Sequence, residues 1–188
     1  VMAAPTGKAA SRLMASLDAA RSAADVATTV LDALPADAFT LHRLLGIQPG
    51  KSRPRFHRGN PLDADVVVVD EASMIDISLM CRLMEAVPES ATLILIGDRD
   101  QLSSVEAGAV FGDVCRRNSG TSFSPAMQDV LKKMLPPVSG LSPGKEGLSD
   151  CLVFLTHPHR YSDSSVFGRL FKAVNSGDSV AFKEILSS

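Results

Sequence analysis

The sequence predicts an α/β fold on a parallel sheet, and three neighbouring segments carry that prediction. Residues 66–69 are four consecutive valines, an apolar run suited to a strand buried on both faces of a parallel sheet. Residues 91–98, ATLILIGD, form a second such run. Between them, Ile75, Leu79, Leu83 and Met84 recur at helical spacing within the stretch from Met74 to Ala86. Strand, helix and strand within about 30 residues make a βαβ unit, whose two strands lie parallel.

Both runs end in polar residues. Asp70 and Glu71 follow the valines, and Asp98, Arg99, Asp100 and Gln101 follow Gly97. Parallel strands bring both ends to one edge of the sheet, the edge at which open α/β sheets bind ligands. A hard cation such as Mg²⁺ takes oxygen ligands, and an attacking water takes a carboxylate base. Asp70, Glu71 and Gln101 therefore suit a nucleotide hydrolase site. Taken alone, the Asp-Glu pair fits the start of a solvated helix as well. Asp98 and Asp100 read as turn formers and partners for Arg99.

The remaining elements follow in order. Val1-Met2-Ala3-Ala4 reads as the tail of a strand. Residues 7–34 are Ala-rich and helical in pattern, broken near 23–25 and stopped by Pro35. Residues 40–46 predict a short helix capped by Thr40. Residues 48–61, QPGKSRPRFHRGNP, set prolines around a basic run and read as a loop or hairpin. Residues 108–117 read as a helix, and residues 124–135 as an arm that extends from it. Residues 136–149, PPVSGLSPGKEGLS, are dominated by Pro, Gly and Ser and predict a mobile connection. Residues 151–155, CLVFL, predict a new strand, followed by helices over 164–175 and 178–187 that part at Gly177.

Several blocks resemble a known family. DEASMID at 70–76 with LIGDRDQLSSVEAGAVFGD at 95–113 is similar to motifs II and III of superfamily 1 helicases. AAPTGKAASRL at 3–13 resembles motif Ia, and TLHRLLG at 40–46 resembles motif Ib. LTHPHRYSDSS at 155–165 and GRLFKAVNSGD at 168–178 resemble motif IV and the start of a second motor domain. The narrower resemblance is to the RecD-type alpha subunits of bacterial exodeoxyribonuclease V.

That resemblance implies a RecA-like parallel sheet with flanking helices, a truncated P-loop NTPase fold. Residues 1–135 would be most of the first motor domain, 136–150 a flexible linker and 151–188 the beginning of the second RecA-like domain. It also implies ATP and Mg²⁺ as cofactors. The implied activity is ATP-driven 5′-to-3′ movement on single-stranded DNA in recombination and double-strand break repair. Single-stranded DNA and the other subunits of an exodeoxyribonuclease V complex are the implied partners.

The family's roles carry over residue by residue. Asp70 would hold Mg²⁺ through water, Glu71 would polarise the attacking water, and Gln101 would touch the γ-phosphate or its water. Arg160 would reach the γ-phosphate from the second domain, where a guanidinium stabilises growing charge bidentately. His159 stands where the family often has an aromatic that stacks on adenine, and imidazole stacks more weakly. With His157 it also suggests a metal site, but no further ligand lies near in sequence. Thr6, Gly7, Lys8, Thr40 and His42 would contact the phosphodiester backbone of single-stranded DNA. The plainer alternative makes Thr40 a helix cap and His42 a packed histidine. Lys51, Arg53, Arg55 and Arg58 surround Phe56 and His57, either as a nucleic-acid track or as a solvated hairpin.

One part of the pattern is missing. An NTPase of this kind cradles phosphates with G-x-x-x-x-G-K-[ST]. Gly7-Lys8 does not fit, because Met2 stands at the first glycine position and Ala9 at the Ser/Thr position. Gly50-Lys51-Ser52 has Leu45 at its first position, and Gly144-Lys145 is followed by Glu146. In the family the phosphate loop precedes motif Ia, so the expectation is a fragment that is inactive as an ATPase by itself.

Composition sets the outer bounds. With 188 residues and 45% hydrophobic content, the chain has material for a domain core plus part of a second domain. A net charge of −2 confines any DNA contact to a local surface. Cys81, Cys115 and Cys151 are too far apart for a zinc pattern and suit a reducing, cytoplasmic setting. No run of about 18 apolar residues exists, so no membrane contact is expected. Two other classes stay open: a Mg²⁺-dependent phosphohydrolase without a phosphate loop, and a non-catalytic module that binds DNA or partner subunits.

Overall fold

The computed structural model describes residues 1–23, 27–99, 101, 110–116, 122–134, 142–144, 147–155 and 165–187. The chain divides into two compact units, Val1–Arg117 and Asn118–Ser188. The first is built on β1 (Met2–Ala4), β2 (Ala38–Thr40), β3 (Val66–Val69) and β4 (Thr92–Leu95). They form one sheet in the order β2-β1-β3-β4, with every neighbouring pair parallel. α1 (Gly7–Ala23) and α2 (Thr28–Ala33) join β1 to β2, and α3 (Leu41–Leu45) follows β2. α4 (Ile77–Ala86) joins β3 to β4, and α5 (Val110–Arg116) comes after β4. This is the parallel sheet with flanking helices expected of a RecA-like domain.

Local chemistry sets the helix ends. Thr40 Oγ1 accepts from Arg43 N at 3.3 Å and starts α3, while Gly46 ends it in the left-handed region at φ 64°. Asp76 Oδ1 accepts from Leu79 N at 2.8 Å and starts α4. Because α4 begins only at Ile77, after a 3-10 turn over Ala72–Met74, its buried stripe is Leu79, Met80 and Leu83. Met84, expected inside, is 59% exposed, and Ile75 is buried ahead of the helix.

The core lies on one side of the sheet, where Ala3, Val67 and Val69 meet Leu41, Leu45, Ile75, Leu79 and Leu83. On the other side Ala4 and Ala38 pack against Ala9 and Ala10 of α1. The valine run is consequently not buried on both faces. Val67 and Val69 are sealed, but Val66 and its same-face neighbour Ile94 are each 42% exposed. A strand is buried twice only where helices cover both faces, and α1 packs over β1 and β2 rather than β3 and β4.

The second unit contains β5 (Ser122–Phe123), paired in parallel with β6 (Ser142–Pro143), and α6 (Pro125–Met134). It ends in α7 (Val166–Ser176) and α8 (Ser179–Ser187), which part at the left-handed Gly177, φ 68°. Part of the expected linker is packed here. β6 lies within it, and Asp150 Oδ1 accepts from Ser124 N at 2.7 Å. The strand expected over 151–155 does not form. Leu148–Cys151 is a 3-10 turn, and Val153 and Leu155 are 72% and 95% exposed. An apolar run becomes a strand only with a hydrogen-bonded neighbour, and among the described residues no ladder reaches this segment.

Candidate functional site

The four strands of the first unit end together. Ala4 is the register partner of Thr40, Ala3 of Val69, and Val69 of Leu95. The blocks that begin at residues 3, 40, 70 and 95 therefore leave the sheet along one edge.

On the β2-β1 side, Thr6 follows β1 and caps α1, its Oγ1 accepting from Ala9 N at 3.2 Å. Thr40 closes β2 and caps α3 in the same way. Thr6, Gly7, Lys8 and His42 are all exposed. His42 is thus not the packed histidine of the plainer alternative, whereas Thr40 is a cap. Capping uses the hydroxyl oxygens as acceptors and leaves their protons for another acceptor, such as a phosphate oxygen.

On the β3-β4 side the chain is tied more tightly. Asp70 N donates to Ala3 O at 3.0 Å, and Glu71 N donates to Asp70 Oδ1 at 2.9 Å. Glu71 has φ 54° and ψ 39°, the one positive φ at a non-glycine among the described residues. Ala72 N then donates to Ile96 O at 2.8 Å, joining the turn after β3 to the end of β4. Gly97 makes that approach possible. A Cβ there would stand 3.0 Å from Ser73 N, 3.1 Å from Phe111 Cε1 and 3.2 Å from Ala72 N.

Gln101 is reached by a turn in which its N–H donates to Asp98 O at 3.3 Å. Its Oε1 lies 3.4 Å from the hydroxyl of Ser73, which is buried. Asp70, Glu71 and Gln101 are thereby brought to one end of the sheet, with Ser73 as the link. Asp70 and Glu71 are half-buried and offer oxygen donors only. Among the described residues no three His, Cys, Asp or Glu side chains cluster as a metal cage. Two neighbouring carboxylates that offer oxygen alone are the donor set a hard cation such as Mg²⁺ takes, since it binds through one or two carboxylates and keeps several waters.

α5 packs beside this turn through Phe111, and its Cys115 is buried. Burial raises the Cys115 thiol above its ordinary value, and the Arg99 guanidinium pulls it the other way. Arg160, His159 and Asp100 lie outside the described residues.

The basic segment 51–58 is an anchored loop. Phe56 N donates to Leu45 O at 3.1 Å, and Asn60 Nδ2 donates to Arg55 O at 2.9 Å. Gly59 N at 3.0 Å and Arg53 Nη2 at 3.1 Å both address His57 Nδ1, which makes that nitrogen the acceptor. Arg55 lies over the Phe56 ring, 5.1 Å from its centroid. Lys51, Arg53, Arg55 and Arg58 remain exposed.

Ser73 and Gly97 stand inside the motifs at 70–76 and 95–113, but nothing in their residue type or spacing points to a functional role. Their roles depend on two loops 24 or more residues apart meeting, which spacing alone does not reveal.

The model of the AAA domain family matches residues 1–107. The chain is similar to RecBCD enzyme subunit RecD of Haemophilus influenzae, at 38% identity over 180 residues. That alignment covers 94% of this chain and 28% of the relative. RecBCD enzyme subunit RecD of Mycolicibacterium smegmatis is 39% identical over 189 residues, 100% of this chain and 28% of that protein. The ATP-dependent RecD2 DNA helicase of Deinococcus radiodurans is 38% identical over 107 residues, 57% of this chain and 12% of that protein. The chain thus spans 28% of the length of either RecD relative. With the family model matching residues 1–107, more than half of its length, the chain belongs to the AAA domain family, and it is similar to RecD subunits and a RecD2 DNA helicase.

Proposed function

We propose that this chain is part of the motor of an ATP-dependent DNA helicase that moves 5′-to-3′ on single-stranded DNA in recombination and break repair. The observation that carries the reading is the shared strand edge. Thr6 and Thr40 leave it on one side, Asp70, Glu71 and Gln101 on the other. DNA grip and nucleotide chemistry then sit on one rigid sheet, so a change at one reaches the other.

Mg²⁺ and ATP, when bound, supply the phosphoryl group and neutralise its charge. Asp70 holds the cation through water, and its Oδ1 is already oriented by Glu71 N. Glu71 polarises the attacking water, and Gln101 senses the γ-phosphate or that water. Arg160 and His159, which lie outside the described residues, would take the family's roles toward the same nucleotide. Thr6, Gly7, Lys8, Thr40 and His42 hold the DNA backbone without reading bases. The subunits of an exodeoxyribonuclease V complex are the partners this reading expects, in the cytoplasm.

No G-x-x-x-x-G-K-[ST] stands in the sequence, so the 188-residue chain should turn over ATP poorly. The test compares ATP hydrolysis, with and without single-stranded DNA, by this chain and by the full-length protein. DNA-stimulated hydrolysis by the full-length protein alone supports the reading. Hydrolysis by the short chain would instead favour a phosphohydrolase that needs no phosphate loop.

A further inference from the structure

We propose that Ser73 is a positioning residue for Gln101, an inference that rests on the nucleotide-site reading above. Ser73 lies two residues after Glu71 and is 7% exposed, with its hydroxyl 3.4 Å from Gln101 Oε1 across 28 residues of chain. Its backbone is locked from the other side. Ala72 N is bonded to Ile96 O, and Gly97 approaches so closely that a Cβ there would meet Ser73 N at 3.0 Å. The backbone that carries the hydroxyl is therefore held and the side chain is buried, whereas Gln101 is exposed at the end of a turn.

The chemistry of the pair gives it direction. A serine hydroxyl has one proton, and a carboxamide has one accepting oxygen and one donating nitrogen. With the Gln101 oxygen held by the Ser73 hydroxyl, the amide protons are left for an acceptor, such as a phosphate oxygen or the lone pair of an attacking water. A separation of 3.4 Å is long for O–H···O, so Gln101 is guided without being locked. Hydrogen bonds of this kind tighten when ligand completes the site. Ser73 thus couples the turn that carries Glu71 to the loop that carries Gln101.

The test uses the full-length protein with single Ser73→Ala and Gln101→Ala substitutions and the double variant. Ser73→Ala removes one oxygen and adds no volume, so the turn keeps its packing. Ser73→Ala is expected to lower DNA-stimulated kcat by about tenfold, with KM for ATP changed less than about twofold. In the Gln101→Ala background it should cost nothing more, because the two residues act as one unit. An unchanged kcat for Ser73→Ala, or an equal fall in both backgrounds, would overturn the positioning role while leaving the nucleotide site standing. A wild-type rate for Gln101→Ala would remove Gln101 from the chemistry and overturn the positioning role with it, whereas the site itself is tested by Glu71→Gln.

Discussion

Glu71 holds a left-handed backbone conformation, φ 54° and ψ 39°, and its amide donates to Asp70 Oδ1 at 2.9 Å. The bend turns the chain off β3 so that the next amide, of Ala72, reaches Ile96 O. For an L-residue with a Cβ this conformation costs about 1–2 kcal/mol. Strain of that kind is kept where geometry matters more than stability.

The strain separates two effects of substitution at one position. Glu71→Gly should raise the stability of the chain by up to about 1 kcal/mol, read as a higher urea midpoint, because glycine adopts positive φ without penalty. In the full-length protein, Glu71→Gln should lower turnover by about 10²-fold or more while ATP binding persists. A Glu71→Gln variant that still hydrolyses ATP would remove Glu71 from the chemistry.

Gly46 and Gly50 have similar positive φ, 64° and 78°, but different surroundings. A Cβ at Gly46 would stand 2.5 Å from Arg55 Cβ, whereas at Gly50 nothing lies within 4 Å. Gly50→Ala should cost only the backbone term, about 1–2 kcal/mol. Gly46→Ala carries that term plus a collision that displaces the 55–60 loop, for a total loss of about 2–4 kcal/mol. Equal losses in parallel urea titrations would show that the loop yields without resistance.

Lys8 is exposed at the start of α1, on the edge shared with Thr40. If it meets one phosphate, Lys8→Ala should weaken single-stranded DNA binding alike for every sequence. It should also make the log–log salt dependence shallower by about 0.7. Fluorescence anisotropy of the full-length protein at several salt concentrations measures both. A weakened affinity with an unchanged slope would point to lost packing instead of a phosphate contact.

The cysteines should separate by accessibility. Cys81 and Cys151 are exposed and Cys115 is buried, so a thiol reagent should label the first two rapidly and Cys115 only on unfolding. Because burial raises the Cys115 thiol, folding favours its protonated form. Its contribution to stability is complete below the ordinary thiol range and is lost as pH rises through the raised value. Urea midpoints should therefore fall at strongly alkaline pH, and fall less in Cys115→Ala. Early labelling of all three thiols at neutral pH would contradict the buried position of α5.

What the sequence determined is local. Alternating apolar strands and capped helices specify the parallel sheet, Thr40 and Gly177 mark helix ends where expected, and the placement of Asp70, Glu71 and Gln101 at one end of the sheet follows from the βαβ unit that carries them. These features depend on neighbours a few residues apart, whose chemistry is written in the chain. The exposed face of Val66 and Ile94, the absence of the strand expected at 151–155 and the shifted stripe of α4 were settled by pairing and coverage between distant segments. The same holds for the contact of Ser73 with Gln101 and for the close approach of Gly97. A strand needs a partner and a buried hydroxyl needs an acceptor, and only the folded chain decides which residue 28 positions away supplies it.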